Sequence, residues 1–397
     1  MKKILKKNIL KFDLFFIYSL FSILLFNYIF FNEPLYKFKN SWAYSDLAIN
    51  YSGGFVRRGL IGEILIYLDQ ISSNHIIFLF IACLASFLHV HINILKYLLN
   101  ENFHKRIFFL LHPFGISYIF FNIENFFGRK EYLILNLIIF LFKIDKTLTG
   151  KKFITFIFTT TLIILVYEPI IFFFPIIIYI LFMKRTKFLT ILFMVLPLFI
   201  LNISMFTFFK NSKNFSSLCN AINTLNFNLN LNEKNCWGAA RFLNNIDFDF
   251  WTFEVKKYLL IENKITSWLI IFSILFVSLL LISQLQKDNF YKYLFFTSGL
   301  FAFFFLAIDF GRWFNLIFLT VIIINYEFIN ATDKFSYEKI YFITIPALSL
   351  FINVPIYLNQ EIEIFDFTLV NIKTIILNSS SKIIFEFYTI FETFFKI

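Results

Sequence analysis

The stretch that decides the fold is FLTILFMVLPLFILNISMFTFF, residues 188–209, which contains no charged side chain. An uncharged apolar run of this length is long enough to cross a bilayer as an α-helix. Similar runs recur along the chain, in which 59% of residues are hydrophobic and only 15% are charged. A soluble domain has too little interior to bury so much apolar surface. The composition therefore predicts an all-α polytopic transmembrane helical bundle, in one membrane-embedded domain over residues 1–397.

Lysines cluster in short loops beside the apolar runs, which is typical of cytoplasmic loops. Several lysines precede the first run, 14–31, and no small-residue cleavage site follows it. We therefore expect an uncleaved signal anchor with a cytoplasmic N-terminus, in a multi-pass protein of the bacterial inner membrane with about ten to twelve spans. The predicted spans are 14–31, 76–95, 107–121, 128–142, 153–166, 170–183, 188–209, 265–284, 294–308, 314–329 and 340–358. The runs 153–166 and 170–183 are short, so they form either a re-entrant pair or one long broken helix.

This topology leaves two large external segments, residues 32–75 and 210–264. In the first, the region from Arg58 to Leu68 has an apolar stripe, which predicts a helix lying along the membrane surface. The stripe consists of Leu60, Ile61, Ile64, Leu65 and Leu68. In the second, Cys219 and Cys236 can form a disulfide if the segment lies in an oxidising compartment.

The first external segment contains SDLAINYSGGFVRRGLIGE, residues 45–63. Four of the ten glycines of the chain fall within ten residues here, beside Arg57 and Arg58. Glycine lets a backbone approach a ligand closely, and paired guanidinium groups recognise phosphate in a way that lysine does not. The stretch is therefore predicted to form one wall of a site for a phosphorylated ligand.

The predicted topology places three further charged motifs on the same external face. They are GRKE at 128–131, YEP at 167–169 and DFGRW at 309–313. Arginines at external helix ends run against the cytoplasmic bias of basic residues, and a bound anion explains them. The predicted phosphate-binding residues are Arg57, Arg58, Arg129, Lys130 and Arg312. As an alternative, Arg129 and Lys130 pair with the neighbouring Glu124 or Glu131.

A ligand that is both lipid-embedded and anionic is a sugar linked to a polyprenyl phosphate or diphosphate. Glycosyl transfer from such a donor requires positive charge near the leaving phosphate and a general base for the acceptor hydroxyl. The candidate catalytic carboxylates are Asp46, Glu168 and Asp309. Asp46 can also be a solvated loop acid or a helix N-cap, and Asp309 can form a structural salt bridge with Arg312.

The expected partners are the polyprenyl-linked glycan and membrane lipid. The net charge of +11 resides largely in loop lysines next to apolar runs, so we expect no nucleic-acid partner. The sequence contains no P-loop. No cofactor or metal is predicted, although Asp46 together with Glu168 or Asp309 can hold a divalent cation if these carboxylates converge.

An acidic residue in the first external loop, followed by a surface helix and a later long external loop, resembles the GT-C glycosyltransferases. Those enzymes use lipid-linked donors on the non-cytoplasmic side. External arginines in several loops also resemble the Wzy-type O-antigen polymerases, which join undecaprenyl-diphosphate-linked glycans. The resemblance implies a membrane enzyme of surface-polysaccharide assembly, with Asp46 as its base. The alternative is a transporter or flippase for lipid-linked glycans, in which charged residues lie near the midplane and at both faces.

Overall fold

The computed structural model is predominantly helical over the part of the chain that it describes. The described residues are 18, 22, 42–71, 74–100, 106, 108–110, 112, 114–122, 126–143, 150–183, 186–209, 211–225, 243, 265–285, 298–300, 310–325, 352–353 and 363–364. Two of the described helices, His75–Leu99 and Phe188–Thr207, are long and apolar enough to cross a membrane. Together they indicate association with a membrane.

The described helices are, in chain order, α1 (Trp42–Leu47), α2 (Gly59–Ile71), α3 (His75–Asn100), α4 (Ile116–Phe121), α5 (Glu131–Lys143), α6 (Lys151–Val166), a 3₁₀ helix (Glu168–Phe173), α7 (Phe174–Met183), α8 (Phe188–Thr207), α9 (Phe215–Leu225), α10 (Ile265–Leu285) and α11 (Phe310–Asn325). Two short strands, β1 (Ile352–Asn353) and β2 (Glu363–Ile364), pair antiparallel with Ile352 opposite Ile364. This pairing of two residues on each side leaves the described part of the chain predominantly helical, as the sequence predicted.

Helix α5 lies at the centre of the bundle, because it packs against α3, α6, α7 and α11. Nearly every side chain along it is buried, including Ile134, Leu135 and Ile138. An apolar helix buried on all sides leaves its charged residues at its ends. Lys130, the residue before α5, and Glu131, the first residue of α5, therefore lie at the same end of the bundle.

Helix α8 has one buried side and one apolar side that faces away from the protein. Its buried residues include Met194, Leu198 and Met205. The large apolar side chains of its other face are at least about one third exposed, namely Phe188, Leu189, Leu192, Phe193, Leu196, Phe199, Ile200 and Ile203. Water is a poor solvent for a continuous apolar face of this size, so this face of α8 is suited to lipid.

Several predicted spans coincide with helices to within a few residues. The predicted runs 76–95, 128–142, 153–166, 188–209 and 265–284 correspond to α3, α5, α6, α8 and α10. Residues 170–183 form the 3₁₀ helix and α7, so the predicted break lies at Tyr167, whose backbone is extended (φ −154°). Helix α11 begins at Phe310, before the predicted start at 314. The predicted spans 14–31, 294–308 and 340–358 lie almost entirely outside the described residues.

Helix α2 confirms the predicted helix after Arg58, while its position along the membrane surface stays a prediction. Its buried side is formed by Gly59, Gly62 and Leu65, whereas Ile64 of the predicted stripe is 49% exposed. A Cβ atom on Gly62 would lie 2.0 Å from the backbone oxygen of Ile49. The glycine side of α2 therefore packs closely against the chain that follows α1, which an apolar stripe of larger side chains cannot do.

Candidate functional site

Five of the predicted site residues meet in one group, here called the charged cluster: Asp46, Arg57, Arg58, Lys130 and Glu168. They come from α1, from the loop before α2, from the residue before α5 and from the start of the 3₁₀ helix. Residues more than one hundred positions apart are thus in hydrogen-bond contact, as in the pair Arg57 and Glu168. The predicted convergence of these motifs is present in the structure, while the chemical roles assigned to the residues stay predictions.

Arg58 lies at the centre of the charged cluster. Its Nε donates to both carboxylate oxygens of Glu168, at 2.9 and 2.8 Å. Its Nη1 donates to Oδ1 of Asp46 at 3.1 Å. Arg57 adds a hydrogen bond from Nη1 to Glu168 at 3.0 Å. One guanidinium therefore links both carboxylates, which a lysine amine cannot do with the same geometry.

Lys130 holds Asp46 from the other side. Its Nζ lies 3.3 Å from Oδ2 of Asp46 and donates to the backbone oxygen of the same residue at 2.9 Å. The loop before it contains Gly128 with φ +77°, a conformation that glycine adopts at little cost. The predicted alternative, in which Lys130 pairs with Glu131, is wrong, because that loop turns Lys130 towards α1.

The loop that contains the two arginines is held in place by hydrogen bonds to a segment that is distant in the sequence. The backbone N–H of Arg57 donates to the carbonyl oxygen of Phe209 at 2.9 Å, and the hydroxyl of Ser212 donates to that of Gly53 at 3.0 Å. Arg58 itself has φ +67°, which is rare for a residue with a long side chain. Strain of this kind persists only when the surroundings enforce it, and it is concentrated at functional sites.

Burial is graded across the charged cluster. The side chain of Glu168 is fully buried and that of Lys130 is 1% exposed, whereas Arg57 and Arg58 are 19% and 23% exposed. The arginines therefore form the accessible side of the cluster. Among the described residues, the buried Nε of Arg57 has no hydrogen-bond partner. Buried donors normally have one, so this N–H is available to a ligand.

The electrostatics of the cluster favour an additional anion. Three cations face two carboxylates, which leaves one positive charge in excess. Burial acts to raise the pKa of Asp46, but Lys130 and Arg58 outweigh it and hold that pKa below its usual value. Asp46 is therefore ionised at neutral pH and is a weak base while both cations contact it.

A second charged pair lies next to the cluster. Glu131 is 3.4 Å from Nε of Arg312 and accepts a hydrogen bond from the hydroxyl of Tyr167 at 3.0 Å. The guanidinium of Arg312 lies 4.5 Å from the ring centre of Trp313. On its other side, the Tyr167 ring lies 5.6 Å from the guanidinium carbon of Arg58. Tyr167 therefore stands between the charged cluster and this second pair.

The remaining predicted site residues fall outside the cluster. Arg129 is half-buried and lines a narrow groove together with Glu131 and Arg312. Asp309 lies outside the described residues, so its predicted pairing with Arg312 stays a prediction. Among the residues that the structure describes, no group of three metal-ligating side chains is found.

Glu131 and Tyr167 are the residues that sequence reasoning missed as members of the site. Both stand inside motifs that the sequence analysis singled out, directly beside Lys130 and Glu168. The sequence feature that points to Glu131 and Tyr167 is therefore their position next to a predicted site residue within a charged motif. It was overlooked because a tyrosine in an aromatic-rich chain carries little information by itself.

The chain matches no protein-family model, no curated protein and no solved structure. Because function follows the site rather than the fold, the charged cluster and its surroundings carry the functional inference.

Proposed function

We propose that this protein is an inner-membrane glycosyltransferase or polymerase of surface-polysaccharide assembly, which uses a sugar donor linked to a polyprenyl phosphate or diphosphate. In this proposal the chain is a multi-pass helical bundle with a cytoplasmic N-terminus. The charged cluster lies at the periplasmic end of the bundle. A phosphate head group binds there while the lipid chain stays in the membrane.

The observation that carries the proposal is the excess of one positive charge in a mostly buried cluster at the end of an apolar bundle. Arg57 and Arg58 are its accessible members, and Arg57 retains a donor without a partner among the described residues. Guanidinium groups bind phosphate oxygens through paired, charge-assisted hydrogen bonds. Positive charge at this position also stabilises a departing phosphate during glycosyl transfer.

The periplasmic assignment is supported by Cys219. This residue is buried in α9 and is disulfide-bonded, while its predicted partner, Cys236, lies outside the described residues. Disulfides persist in oxidising compartments such as the periplasm. Helix α9 packs on α2, and the segment just before it bonds the loop of Gly53. The charged cluster therefore shares the compartment of the disulfide, whatever the number of spans.

The paired state of Asp46 gives the cluster a route from binding to chemistry. While Arg58 and Lys130 contact its carboxylate, Asp46 is a weak base. A phosphate that draws these cations towards itself removes the groups that hold the pKa of Asp46 down. Substrate binding would thus raise the basicity of Asp46 when the acceptor hydroxyl needs to lose its proton. Glu168 remains buried and keeps the arginines in position.

The second candidate function is a flippase for lipid-linked glycans, and one observation favours it. A second groove lies at the opposite end of α5 and α11, lined by Asn93, Tyr97 and Lys143 among other residues. Polar groups at both ends of one helix pair are expected of a carrier. The charged residues of this second groove are fewer than those of the charged cluster, so we rank transfer first.

The test is a glycan profile of cells in which Arg58→Gln replaces the wild-type protein, with Lys152→Gln as a control for an exposed cation on α6. Both variants are first shown to insert and accumulate. Transfer predicts loss of long-chain surface glycan and build-up of short lipid-linked units on the periplasmic side. Build-up on the cytoplasmic side identifies a flippase. An unchanged profile contradicts both proposals.

A further inference from the structure

Two stacked aromatic rings lie on the loop between α1 and α2, just before the two arginines of the charged cluster. The ring centres of Tyr51 and Phe55 are 4.8 Å apart, and the ring planes differ by 22°. The ring of Phe209 meets that of Phe55 at 83°, with the centres 4.9 Å apart. These three side chains are here called the aromatic ledge. Tyr51 and Phe209 are partly buried, whereas Phe55 is 44% exposed and forms the outer surface of the ledge.

The aromatic ledge is held in place by the fold. A Cβ atom on Gly59 would lie 2.2 Å from Cε1 of Tyr51, so the Tyr51 ring packs directly against the backbone at the start of α2. The turn between the two stacked rings is closed by the N–H of Gly54, which donates to the carbonyl oxygen of Tyr51 at 2.9 Å. A ring that is fixed in this way before a ligand arrives loses little conformational entropy on binding.

The aromatic ledge adjoins the charged cluster. Phe55 precedes Arg57 by two residues, and two residues of chain span at most about 7 Å. The backbone N–H of Arg57 also donates to the carbonyl oxygen of Phe209 at 2.9 Å. A group that is attached to a phosphate at Arg57 can therefore contact the exposed ring of Phe55.

The side chains around the ledge are polar. Ser52, Lys213 and Asn214 are exposed, the carbon chain of Lys213 lies beside Gly54, and the N–H of Asn214 donates to the carbonyl oxygen of Gly53 at 3.0 Å. Lipid chains over this surface would deprive the polar groups of hydrogen bonds to water. A sugar ring suits the surface better, because its C–H groups pack on the π face of an aromatic ring and its hydroxyl groups bond to polar neighbours.

We infer that the aromatic ledge binds the sugar residue attached to the donor phosphate, with the C–H face of a pyranose ring on Phe55. The inference rests on the proposed function, in which Arg57 and Arg58 hold the phosphate, and it names the part of the same site that recognises the sugar. An axial hydroxyl group on the stacked face would hold the sugar away from the ring. Phe55 therefore discriminates between epimers of the sugar.

The experiment measures equilibrium binding of two soluble probes to the purified full chain. The first is dimethylallyl diphosphate with glucose on its terminal phosphate, and galactose replaces glucose in a second series. The other probe has a methyl group in place of the sugar, so all probes have the same charge. The proteins are the wild type, Phe55→Ala and Phe55→Trp. Phe208→Ala is the control for loss of an exposed aromatic ring, since Phe208 is 79% exposed and next to Phe209 in the chain but outside the ledge.

The wild type should bind the better sugar probe about fivefold more tightly than the methyl probe. Phe55→Ala should lose this gain and bind the methyl probe as the wild type does, whereas Phe55→Trp and Phe208→Ala should retain the gain. An equal loss of affinity for both probes in Phe55→Ala would show that the ring only supports the arginine loop, and would overturn the inference.

Two further outcomes separate this inference from the proposed function. A sugar gain that is absent in the wild type, or unchanged in Phe55→Ala, would overturn the sugar assignment and leave Phe55 as an anchor at the membrane interface. The proposed function would survive that result, because the methyl probe still binds. A wild type that binds neither probe would overturn both.

Discussion

Arg58 donates through its Nε to both carboxylate oxygens of Glu168, at 2.9 and 2.8 Å, although 110 residues separate the two in the chain. The glutamate is fully buried and the arginine side chain is 23% exposed. Glu168 is thus the inner residue of the pair and holds Arg58 in position. Arg58 is the outer residue and can contact a ligand. This relationship ties the glycine-rich loop to the break between α6 and the 3₁₀ helix.

Replacing Glu168 with glutamine should destabilise the protein and increase its dependence on anions. The change keeps the shape of the side chain but leaves Arg57 and Arg58 without their buried counter-charge, at a cost of about 3 kcal/mol. The measurement is the unfolding temperature in detergent with and without pyrophosphate. We expect pyrophosphate to stabilise Glu168→Gln more than it stabilises the wild type.

The control for this prediction is sodium chloride at matched ionic strength, which separates specific binding from screening. Equal stabilisation of the variant and the wild type by pyrophosphate would show that the charged cluster has no phosphate-binding role.

Exchanging each arginine for lysine should separate the two positions. The side chain of Arg58 contacts Asp46 and Glu168 at once, while the side chain of Arg57 makes one hydrogen bond among the described residues, to Glu168. A lysine side chain retains the positive charge but lacks the planar set of N–H donors with which a guanidinium contacts two carboxylates at once. We therefore expect Arg58→Lys to lower the yield of long-chain glycan about tenfold, and Arg57→Lys to lower it less. Equal yields in the two variants would contradict the central place given to Arg58.

The pairing of Asp46 predicts a defined response to acid. Its pKa in the folded protein lies below the usual value of about 3.9. A lowered folded pKa contributes stability that is fully present above the unfolded pKa and disappears as the pH falls through the folded pKa. The difference in unfolding temperature between wild type and Asp46→Asn should therefore be constant above about pH 5 and shrink below about pH 4. A difference that stays constant down to the lowest pH at which the protein remains folded would argue against the ion pairs of Asp46.

A single methyl group on Gly62 should disturb the charged cluster from a distance. The added Cβ atom meets backbone oxygens, 2.0 Å from Ile49 and 2.6 Å from Ala48, so the two segments must move apart. We expect Gly62→Ala to cost about 3 kcal/mol, at the upper end for overpacking. Gln70→Ala, at an exposed position of the same helix, is the control. If Gly62→Ala were as stable as this control in detergent unfolding, the close packing of α2 would be wrong.

The orientation of the bundle can be tested with introduced cysteines. Ser216 lies exposed on α9, the helix that packs against α2, and Lys152 lies exposed at the end of α6 that is opposite Tyr167. With a membrane-impermeant maleimide, intact cells should label Ser216→Cys but not Lys152→Cys, and permeabilised cells should label both. The reverse pattern in intact cells would place the charged cluster in the cytoplasm.

The sequence predicted those parts of the fold that depend on continuous apolar runs. Helices α3, α5 and α8 follow runs with few charges, and such runs leave little choice of secondary structure. The positions of the loop lysines predicted a topology in which Arg57, Lys130 and Glu168 lie on one face of the membrane. The structure brings these residues together.

The sequence did not predict the pairing within the cluster. Lys130 bypasses the adjacent Glu131 for Asp46, because the backbone at Gly128 sets its direction. The sequence also did not predict that α2 packs closely through Gly62 against the chain after α1. Both outcomes depend on distant segments, which residue patterns do not report.

The most direct test of the central claim is equilibrium binding of dimethylallyl diphosphate, whose short chain keeps it in solution, to the purified protein. The comparison is between the wild type and the double variant Arg58→Gln/Glu168→Gln, which removes one positive and one negative charge together and so keeps the net charge of the cluster. The account predicts saturable, salt-sensitive binding to the wild type and at least about a tenfold weaker affinity in the double variant. Equal affinity in the two proteins would show that the charged cluster does not bind the phosphate.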